Sequence, residues 1–190
     1  MSDRRGVIVE AALRVIARGG PAAATHRAVA AEAGVALAST TYHFGSKAEI
    51  VAEAFELAIE RSIAAVERAT APPRPRTPAE LAPRLLALVD ALCADDQAPL
   101  AAQYELLLEA GRRPELKPLA ERWSRAYLDG LEAVVGAAGI AHPRLAAEIV
   151  SDLIDGALIV RLSEPGDGDA GPLERRIERV VAGLAATDGG

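Results

Sequence analysis

The stretch that decides the fold runs from Thr25 to Lys47 and reads THRAVAAEAGVALASTTYHFGSK. Behind Thr25, whose hydroxyl can cap the free N–H groups of a helix start, apolar residues recur at helical spacing. Gly34 ends this helix, because glycine readily adopts the left-handed backbone of a tight turn. The chain can then fold back into a second short helix over residues 36–43. The pattern therefore predicts a helix-turn-helix hairpin.

The second helix is unusually polar for a buried element. Each residue from Ser39 to His43 can form hydrogen bonds, and the tyrosine ring supplies the main apolar surface. After it, the sequence from Ser46 to Glu49 has the pattern of a capping box, which starts the next helix and places Lys47 at its positive end. A phosphate group is favoured at such a position. The residues alone fit two interpretations, a hairpin that reads DNA and a polar surface hairpin without a ligand.

The order and spacing of these residues resemble the N-terminal signature of the TetR/AcrR family of bacterial transcriptional regulators, over roughly residues 5–57. The matching run is Gly34-Val35, then Ser39-Thr40-Thr41-Tyr42-His43-Phe44, then Ser46-Lys47. The family more often has glycine where this chain has Ala38, and a Leu-Tyr pair where it has Thr40 and Thr41. The aromatic residue that anchors on the DNA backbone is therefore expected at Tyr42. The resemblance implies a DNA-binding head.

Charge is distributed unevenly along the chain, whose net charge is -6. Residues 1–47 contain three acidic residues and six basic ones, namely Arg4, Arg5, Arg14, Arg18, Arg27 and Lys47. The net charge of this segment is +3, which leaves -9 for the remainder. Such asymmetry places the attraction for a polyanion on the N-terminal segment. A chance excess of arginine is the alternative explanation.

Composition bounds the class of protein. A chain of 190 residues with 51% hydrophobic content can form a small head and a body with its own core. The single cysteine, Cys93, excludes an intrachain disulfide and fits a reducing compartment. The sequence has no signal-peptide pattern and no run of the roughly 18 to 20 apolar residues that a membrane span needs. It predicts a soluble, cytoplasmic protein that does not bind membranes.

Motifs for cofactor or catalytic chemistry are weak. The segment 166–171 has the glycine spacing of a dinucleotide-binding turn, but the pattern around it is helical and Asp167 and Asp169 would repel phosphate, so we interpret it as a loop. These aspartates also lack the ligand spacing of a calcium loop. None of the three histidines has a partner at metal-ligand spacing, and no nucleophile has a recognisable base nearby. We predict no metal, no cofactor and no enzymatic activity.

The periodicity is helical from end to end, which predicts an all-α fold of about nine helices. A helix stopped by Gly19, Gly20 and Pro21 braces the hairpin, and a long helix over residues 46–70, about 37 Å in length, joins the head to the C-terminal body. A proline-rich linker, residues 71–78, follows. The remaining helices are predicted at residues 78–95, 99–112, 115–137, 143–162 and 172–185. We assign residues 1–47 to a DNA-binding domain and residues 48–190 to a regulatory, ligand-binding and dimerisation domain.

The last two predicted helices indicate self-association. Residues 149–162 are apolar nearly all round, which implies burial on more than one side, and the final helix carries an apolar stripe. In the resembled family, two such helices from each subunit form a four-helix dimer interface. Completion of a monomer core is the alternative. The predicted interface residues are Ile149, Leu153, Gly156, Val160, Leu173, Ile177, Val180, Val181 and Leu184.

The resemblance implies a homodimeric regulator, in which two heads bind palindromic double-stranded DNA with half-sites one helical turn apart. The residues matched to DNA contact are Thr25, His26, Arg27, Ala36, Leu37, Ser39, Thr40, Tyr42, His43 and Lys47. We expect a repressor that a small, mainly apolar ligand releases, and the alternative is an activating or architectural DNA-binding protein without an effector. The candidate pocket residues are Leu88, Leu92, Cys93, Tyr104, Leu108, Trp123 and Tyr127.

Overall fold

The computed structural model describes residues 4–93, 98–163 and 171–186, and every regular element in these ranges is helical. The all-α prediction is confirmed. The nine α-helices of the described ranges are α1 (Arg4–Ala23), α2 (His26–Ala33), α3 (Leu37–His43), α4 (Lys47–Thr70), α5 (Pro78–Cys93), α6 (Ala98–Ala110), α7 (Lys117–Ala137), α8 (Pro143–Ser163) and α9 (Gly171–Ala186). One turn of 3-10 helix, Pro114–Leu116, precedes α7. Apart from Gly171, the glycine-rich loop predicted between α8 and α9 lies outside the described residues.

The first helix breaks where the sequence predicts. Gly20 leaves the helical conformation at a φ of 68° and a ψ of 176°, and Pro21 follows it. Before this break, α1 buries Ile8, Leu13 and Ile16 among other apolar residues. Val7, near the start of the same helix, is exposed. The glycine break lets the chain leave α1 and begin α2 only a few residues later.

The chain folds as two compact units, residues 1–62 with 95–123 and residues 63–94 with 124–190. In the first unit, α1 packs against α2 and against α6. The core of this unit includes the fully buried side chains of Ile8, Leu13, Ile16, Phe44, Ile50, Phe55, Ile59 and Leu106. The short helices α2 and α3 are thus supported by apolar packing, since helices of this length are not stable alone. The functional boundary at residues 47 and 48 stays a prediction.

In the second unit, α9 packs against α5 and α8. Ile177 and Val181, on α9, are buried within this packing. They cannot contact another subunit, so their assignment to a dimer interface is wrong. An apolar stripe packs equally well within a chain and between chains, and here α5 and α8 cover it. The other side chains predicted on α9, Leu173, Val180 and Leu184, are half-buried.

Gly130 marks a close contact between α7 and the end of α4. A Cβ atom at this position would lie 2.8 Å from Cγ1 of Val66 and 3.4 Å from Cγ2 of Thr70. Because valine has few rotamers in a helix, Gly130→Ala is expected to lower the free energy of unfolding by about 1 to 2 kcal/mol. Gly183→Ala on α9 is the control, since no atom lies within 4 Å of the added carbon. It should raise stability by up to about 1 kcal/mol in urea denaturation. Equal gains at both sites would contradict the close contact.

Candidate nucleic-acid interface

The hairpin forms as the sequence predicts. The Thr25 hydroxyl accepts a hydrogen bond from the N–H of Ala28 at 3.1 Å and caps α2. Gly34 ends α2 in the left-handed conformation, with a φ of 65° and a ψ of 31°. The N–H of Val35 donates to the carbonyl of Ala30 at 3.0 Å, which completes the helix end. The turn then leads within three residues into α3.

One face of α3 is exposed and unusually apolar for a surface helix. The Tyr42 side chain is 85% exposed and Leu37 is 45% exposed, and Ala36 just before the helix is also exposed. The Tyr42 ring meets the ring of His43 edge to face, with centroids 5.1 Å apart. Ser39 and His43 are half-buried at the sides of this face. Such a surface suits contact with base edges and thymine methyl groups in a DNA groove.

Thr40 does not belong to the exposed face, so its predicted DNA contact is wrong. The side chain is 0% exposed, and its hydroxyl donates to the carbonyl of Leu37 at 2.8 Å. The same oxygen lies 3.2 Å from Nδ1 of His26. Because the hydroxyl hydrogen is used on Leu37, the oxygen can accept from His26 Nδ1, which leaves Nε2 of that ring available to other groups. Thr40 therefore connects α3 to α2.

Removing the Thr40 hydroxyl tests this connection. Thr40→Val keeps the shape but leaves the ring nitrogen of His26 without its acceptor, so stability is expected to fall by about 1 kcal/mol. Thr41→Val is the matched control, because the exposed Thr41 hydroxyl makes a similar bond to Ala38 at 3.1 Å that water can replace. Urea denaturation measures both variants. Equal losses in the two variants would show that the contact with His26 contributes nothing.

Three of the six basic residues of the head are bound to carboxylates of the protein itself. Glu32 forms ion pairs with Arg14, at 2.8 Å, and with Arg18. Their hydrogen bonds, that of Arg14 first, lower the pKa of the Glu32 carboxyl. Arg5 pairs with Glu53, whose hydrogen bond raises the pKa of the Arg5 guanidinium. The number of basic residues in the head therefore overstates the cations that it can offer to DNA.

Arg27 and Lys47 differ from these paired arginines. Arg27 is exposed on α2 and forms no ion pair with any residue that the structure describes. Lys47 lies at the start of α4, and its Nζ donates to the carbonyl of Ala22 at 2.5 Å. Neither side chain is held by a carboxylate within the described ranges. They are the cations of the hairpin best placed to bind an anion.

The turn between α3 and α4 carries the predicted capping box, with one difference. The N–H of Glu49 donates to the Ser46 hydroxyl at 3.1 Å, as the pattern requires. The Glu49 carboxylate reaches one residue further back than in a standard box and accepts from the N–H of Gly45 at 2.8 Å. Phe44, before this turn, is buried. Both ends of the turn are thus fixed, which holds α3 at the surface.

The predicted pocket residues are divided between the two compact units. Tyr104, Leu108 and Trp123 belong to the first unit, whereas the remaining four belong to the second. Leu108 is 62% exposed, so its prediction as a pocket wall is wrong. Burial raises the pKa of the half-buried Cys93 thiol, which fits a packing role. Sequence reasoning missed Gln103, whose amide oxygen is buried and accepts no hydrogen bond from any residue in the described ranges.

Two absences hold for the described residues. No group of three or more histidine, cysteine, aspartate or glutamate side chains in the described ranges is placed to hold a metal ion. None of the helices described here combines the length and the hydropathy that crossing a membrane requires.

Comparison with known proteins gives two family matches. Residues 8–54 match the model of bacterial regulatory proteins of the tetR family, and residues 76–187 match the tetracyclin repressor-like C-terminal domain. The first match contains the whole hairpin. No curated protein sequence matches the chain significantly.

Solved structures support the same assignment. A TetR-family member from Streptomyces coelicolor A3 is 30% identical, with a TM-score of 0.68, over 94% of this chain and 98% of its own. The multidrug binding protein EbrR, complexed with imidazole, is 31% identical, with a TM-score of 0.64, over 97% of this chain and 96% of its own. A transcriptional regulator from Rhodococcus sp. Rha1 shares the fold, with a TM-score of 0.78 at 20% identity, over 98% of this chain and 97% of its own. The chain therefore belongs to the TetR family, which makes it a DNA-binding transcriptional regulator and not an enzyme.

Proposed function

We propose that this chain is a homodimeric repressor that binds a palindromic operator and is released from it by a small, mainly apolar ligand. The observation that carries the proposal is the exposed face of α3, with Tyr42 and Leu37 directed away from the core. Side chains of this kind gain contacts when they enter the major groove. A cytoplasmic location is part of the proposal, since the regulator acts on chromosomal DNA.

The proposed contacts divide by role. Ala36, Leu37, Ser39 and Tyr42 face base edges and sugars, and Arg27 and His26 approach from α2. Thr25, Tyr42, His43 and Lys47 bind phosphates, which position the protein without reading the sequence. Two heads in a symmetric dimer then contact half-sites roughly 34 Å apart.

The phosphate role of Lys47 has a distinct salt signature. Lys47→Ala is expected to weaken binding to all duplex sequences and to make the slope of log affinity against log salt concentration shallower by about one. In the unaltered protein, the Lys47 Nζ must give up its hydrogen bond to the carbonyl of Ala22 when it binds a phosphate, which offsets part of the binding free energy of that contact. Lys117→Ala is the control, since this lysine lies outside the hairpin and pairs with Glu121. An unchanged slope for Lys47→Ala would remove Lys47 from the contacts.

The proposed dimer interface rests on α8. Its exposed side carries four apolar residues, Leu145, Ile149, Ile159 and Val160, with Asp152 among them. Gly156 lies on the same exposed side, and no atom lies within 4 Å of a Cβ built there, so another helix could approach closely. Exposed apolar side chains grouped on one side of a helix are unfavourable in water unless a partner covers them. A second copy of α8, with the half-buried residues of α9 beside it, supplies that cover.

Ligand control rests on the relatives and on the buried side chains of the body. Solved structures of EbrR hold imidazole, proflavin and ethidium. In this chain we retain two separate groups of candidate pocket residues. The second unit contributes Leu88, Leu92, Cys93 and Tyr127, and the first unit contributes Tyr104 and Trp123, to which we add Gln103 as a buried hydrogen-bond acceptor. A ligand that shifts the protein from 1:99 to 99:1 between two states needs about 5.5 kcal/mol of differential affinity. The ligand must therefore bind the DNA-free protein much more tightly than the DNA-bound one.

Selection of bound fragments from random-sequence duplex DNA tests the whole proposal. The full-length protein is expected to enrich inverted repeats, and a library of lipophilic compounds should contain members that release them. Failure to enrich any inverted repeat over scrambled competitor would overturn the operator model. Enrichment that no compound reverses would instead favour the activating or architectural alternative.

A further inference from the structure

The Arg5 side chain crosses from α1 to the turn that follows α3. Its Nη1 donates to the carbonyl of His43 at 2.7 Å, and its Nε donates to Glu53 at 3.2 Å. Its Nη2 also donates to Glu53 and lies 3.5 Å from the Glu49 carboxylate. The guanidinium carbon lies 4.5 Å from the centre of the Phe44 ring. We call Arg5, Phe44, Glu49 and Glu53 the Arg5 clamp.

The clamp acts on the C-terminal end of α3. His43 is the last residue of this helix, and carbonyls at a helix end lack partners within the helix. A positive charge at this end is also favourable for the helix dipole. At the other end, Ala36 provides no side-chain cap. A helix of seven residues is not stable on its own, so the clamp adds to the packing against α2 and the Thr40 contact that hold α3.

The same clamp reaches the turn itself. One oxygen of the Glu49 carboxylate accepts from the N–H of Gly45, while the other faces Arg5. Glu53 is one helical turn further along α4 and makes two hydrogen bonds with the guanidinium. Arg5 therefore ties the start of α1, the end of α3 and the first turns of α4 to a common point. Loss of these guanidinium contacts is therefore expected to change the direction of α3.

We infer that Arg5 is a positioning residue for DNA reading, which sets the orientation of α3 while its own guanidinium stays bound to Glu53 and to the carbonyl of His43. The inference rests on the proposed contact of α3 with DNA. The competing interpretation is that Arg5 binds a phosphate, as its charge and its place in the basic N-terminal segment would indicate. The two interpretations predict different results for conservative variants.

The variants are Arg5→Lys, Arg5→Gln and Glu53→Gln, with Arg4→Gln as the matched control. Arg4 is the exposed neighbour on α1 and forms no ion pair with the residues described. Lysine keeps the charge of Arg5 but cannot span the carbonyl of His43 and the carboxylate of Glu53 together. Glu53→Gln removes a negative charge, so simple electrostatics predicts tighter DNA binding, whereas loss of the clamp predicts weaker binding.

Two measurements are made on the full-length protein, at a temperature where circular dichroism shows every variant folded. The first is affinity, across salt concentrations, for a duplex selected by the unaltered protein and for a random duplex. The second is amide hydrogen exchange of Phe44 and Gly45 in the absence of DNA. The exchange measurement needs no DNA, so it tests the clamp separately from the proposed function.

We expect each of the three clamp variants to lose roughly tenfold in affinity for the selected duplex, within the two- to thirtyfold range of residues that act without touching the ligand. Random-duplex affinity and the salt slope should match those of Arg4→Gln, and the two amides should exchange faster. Retained affinity in Arg5→Lys, or tighter binding by Glu53→Gln, would overturn the inference. So would unchanged exchange in all three variants. If the unaltered protein selects no duplex, the proposed function fails and exchange alone decides on the clamp.

Discussion

Replacing Ile149 and Val160 together with aspartate is expected to leave the protein monomeric at micromolar concentration. Both side chains lie on the exposed side of α8, where a second subunit would bury them. Two unpaired carboxylates from each subunit in that contact would cost several kcal/mol, which raises the dissociation constant of the dimer more than about 100-fold. Analytical ultracentrifugation gives the molecular mass directly. The monomer should also lose its preference for inverted repeats, because one head contacts one half-site.

Leu108→Asp is the control for this variant. Leu108 is at least as exposed as the two α8 residues, but it lies on α6 and is not among the proposed interface residues. It should leave the oligomeric state unchanged. A dimer that survives both aspartates on α8 would show that the subunits meet elsewhere, and the interface would have to be sought on another surface.

Arg27→Ala should cause the largest single loss in operator recognition. The guanidinium is exposed on α2, and no carboxylate in the described ranges pairs with it. If it contacts a guanine, its loss costs about 1 to 3 kcal/mol and relaxes the preference at one base pair in each half-site. Affinity measured against a panel of single-base operator variants reports both effects.

Arg18→Ala removes the same charge from a matched position in the head. Its guanidinium is held by Glu32, so it should change operator affinity and base preference little. Equal losses on operator and random DNA for Arg27→Ala would make Arg27 a phosphate contact. A loss in Arg18→Ala as large as that in Arg27→Ala would mean that general charge, and not one side chain, accounts for the effect.

Local signals in the sequence predicted the hairpin well. Thr25, Gly34 and Ser46 act through neighbours a few residues away, so the chemistry that fixes each helix end is visible in the sequence. The break at Gly20 follows from the same local rules. These signals located the exposed face of α3 apart from Thr40. A seven-residue helix makes so few turns that the sequence alone cannot decide which side packs inward.

Long-range contacts account for what the sequence could not predict. Arg5 finds Glu53, 48 positions along the chain, and Arg14 finds Glu32, so counting charges could not show that these arginines are neutralised. From the sequence, the apolar stripe with Ile177 and Val181 could pack against a partner subunit or against α5 of the same chain. Only the packed structure distinguishes these cases. Likewise, only the packing of α6 shows that the amide oxygen of Gln103 is buried and accepts no hydrogen bond from the described residues.

The ion pairs that Arg5, Arg14 and Arg18 form within the protein affect how operator binding responds to changes in intracellular salt. An arginine already neutralised by glutamate displaces few cations from the duplex, so about half of the six basic residues in the head contribute little to counterion release. Recognition then depends more on shape and apolar contact than on ionic attraction. A regulator built this way would hold its operator over a wider range of intracellular potassium than its arginine content indicates.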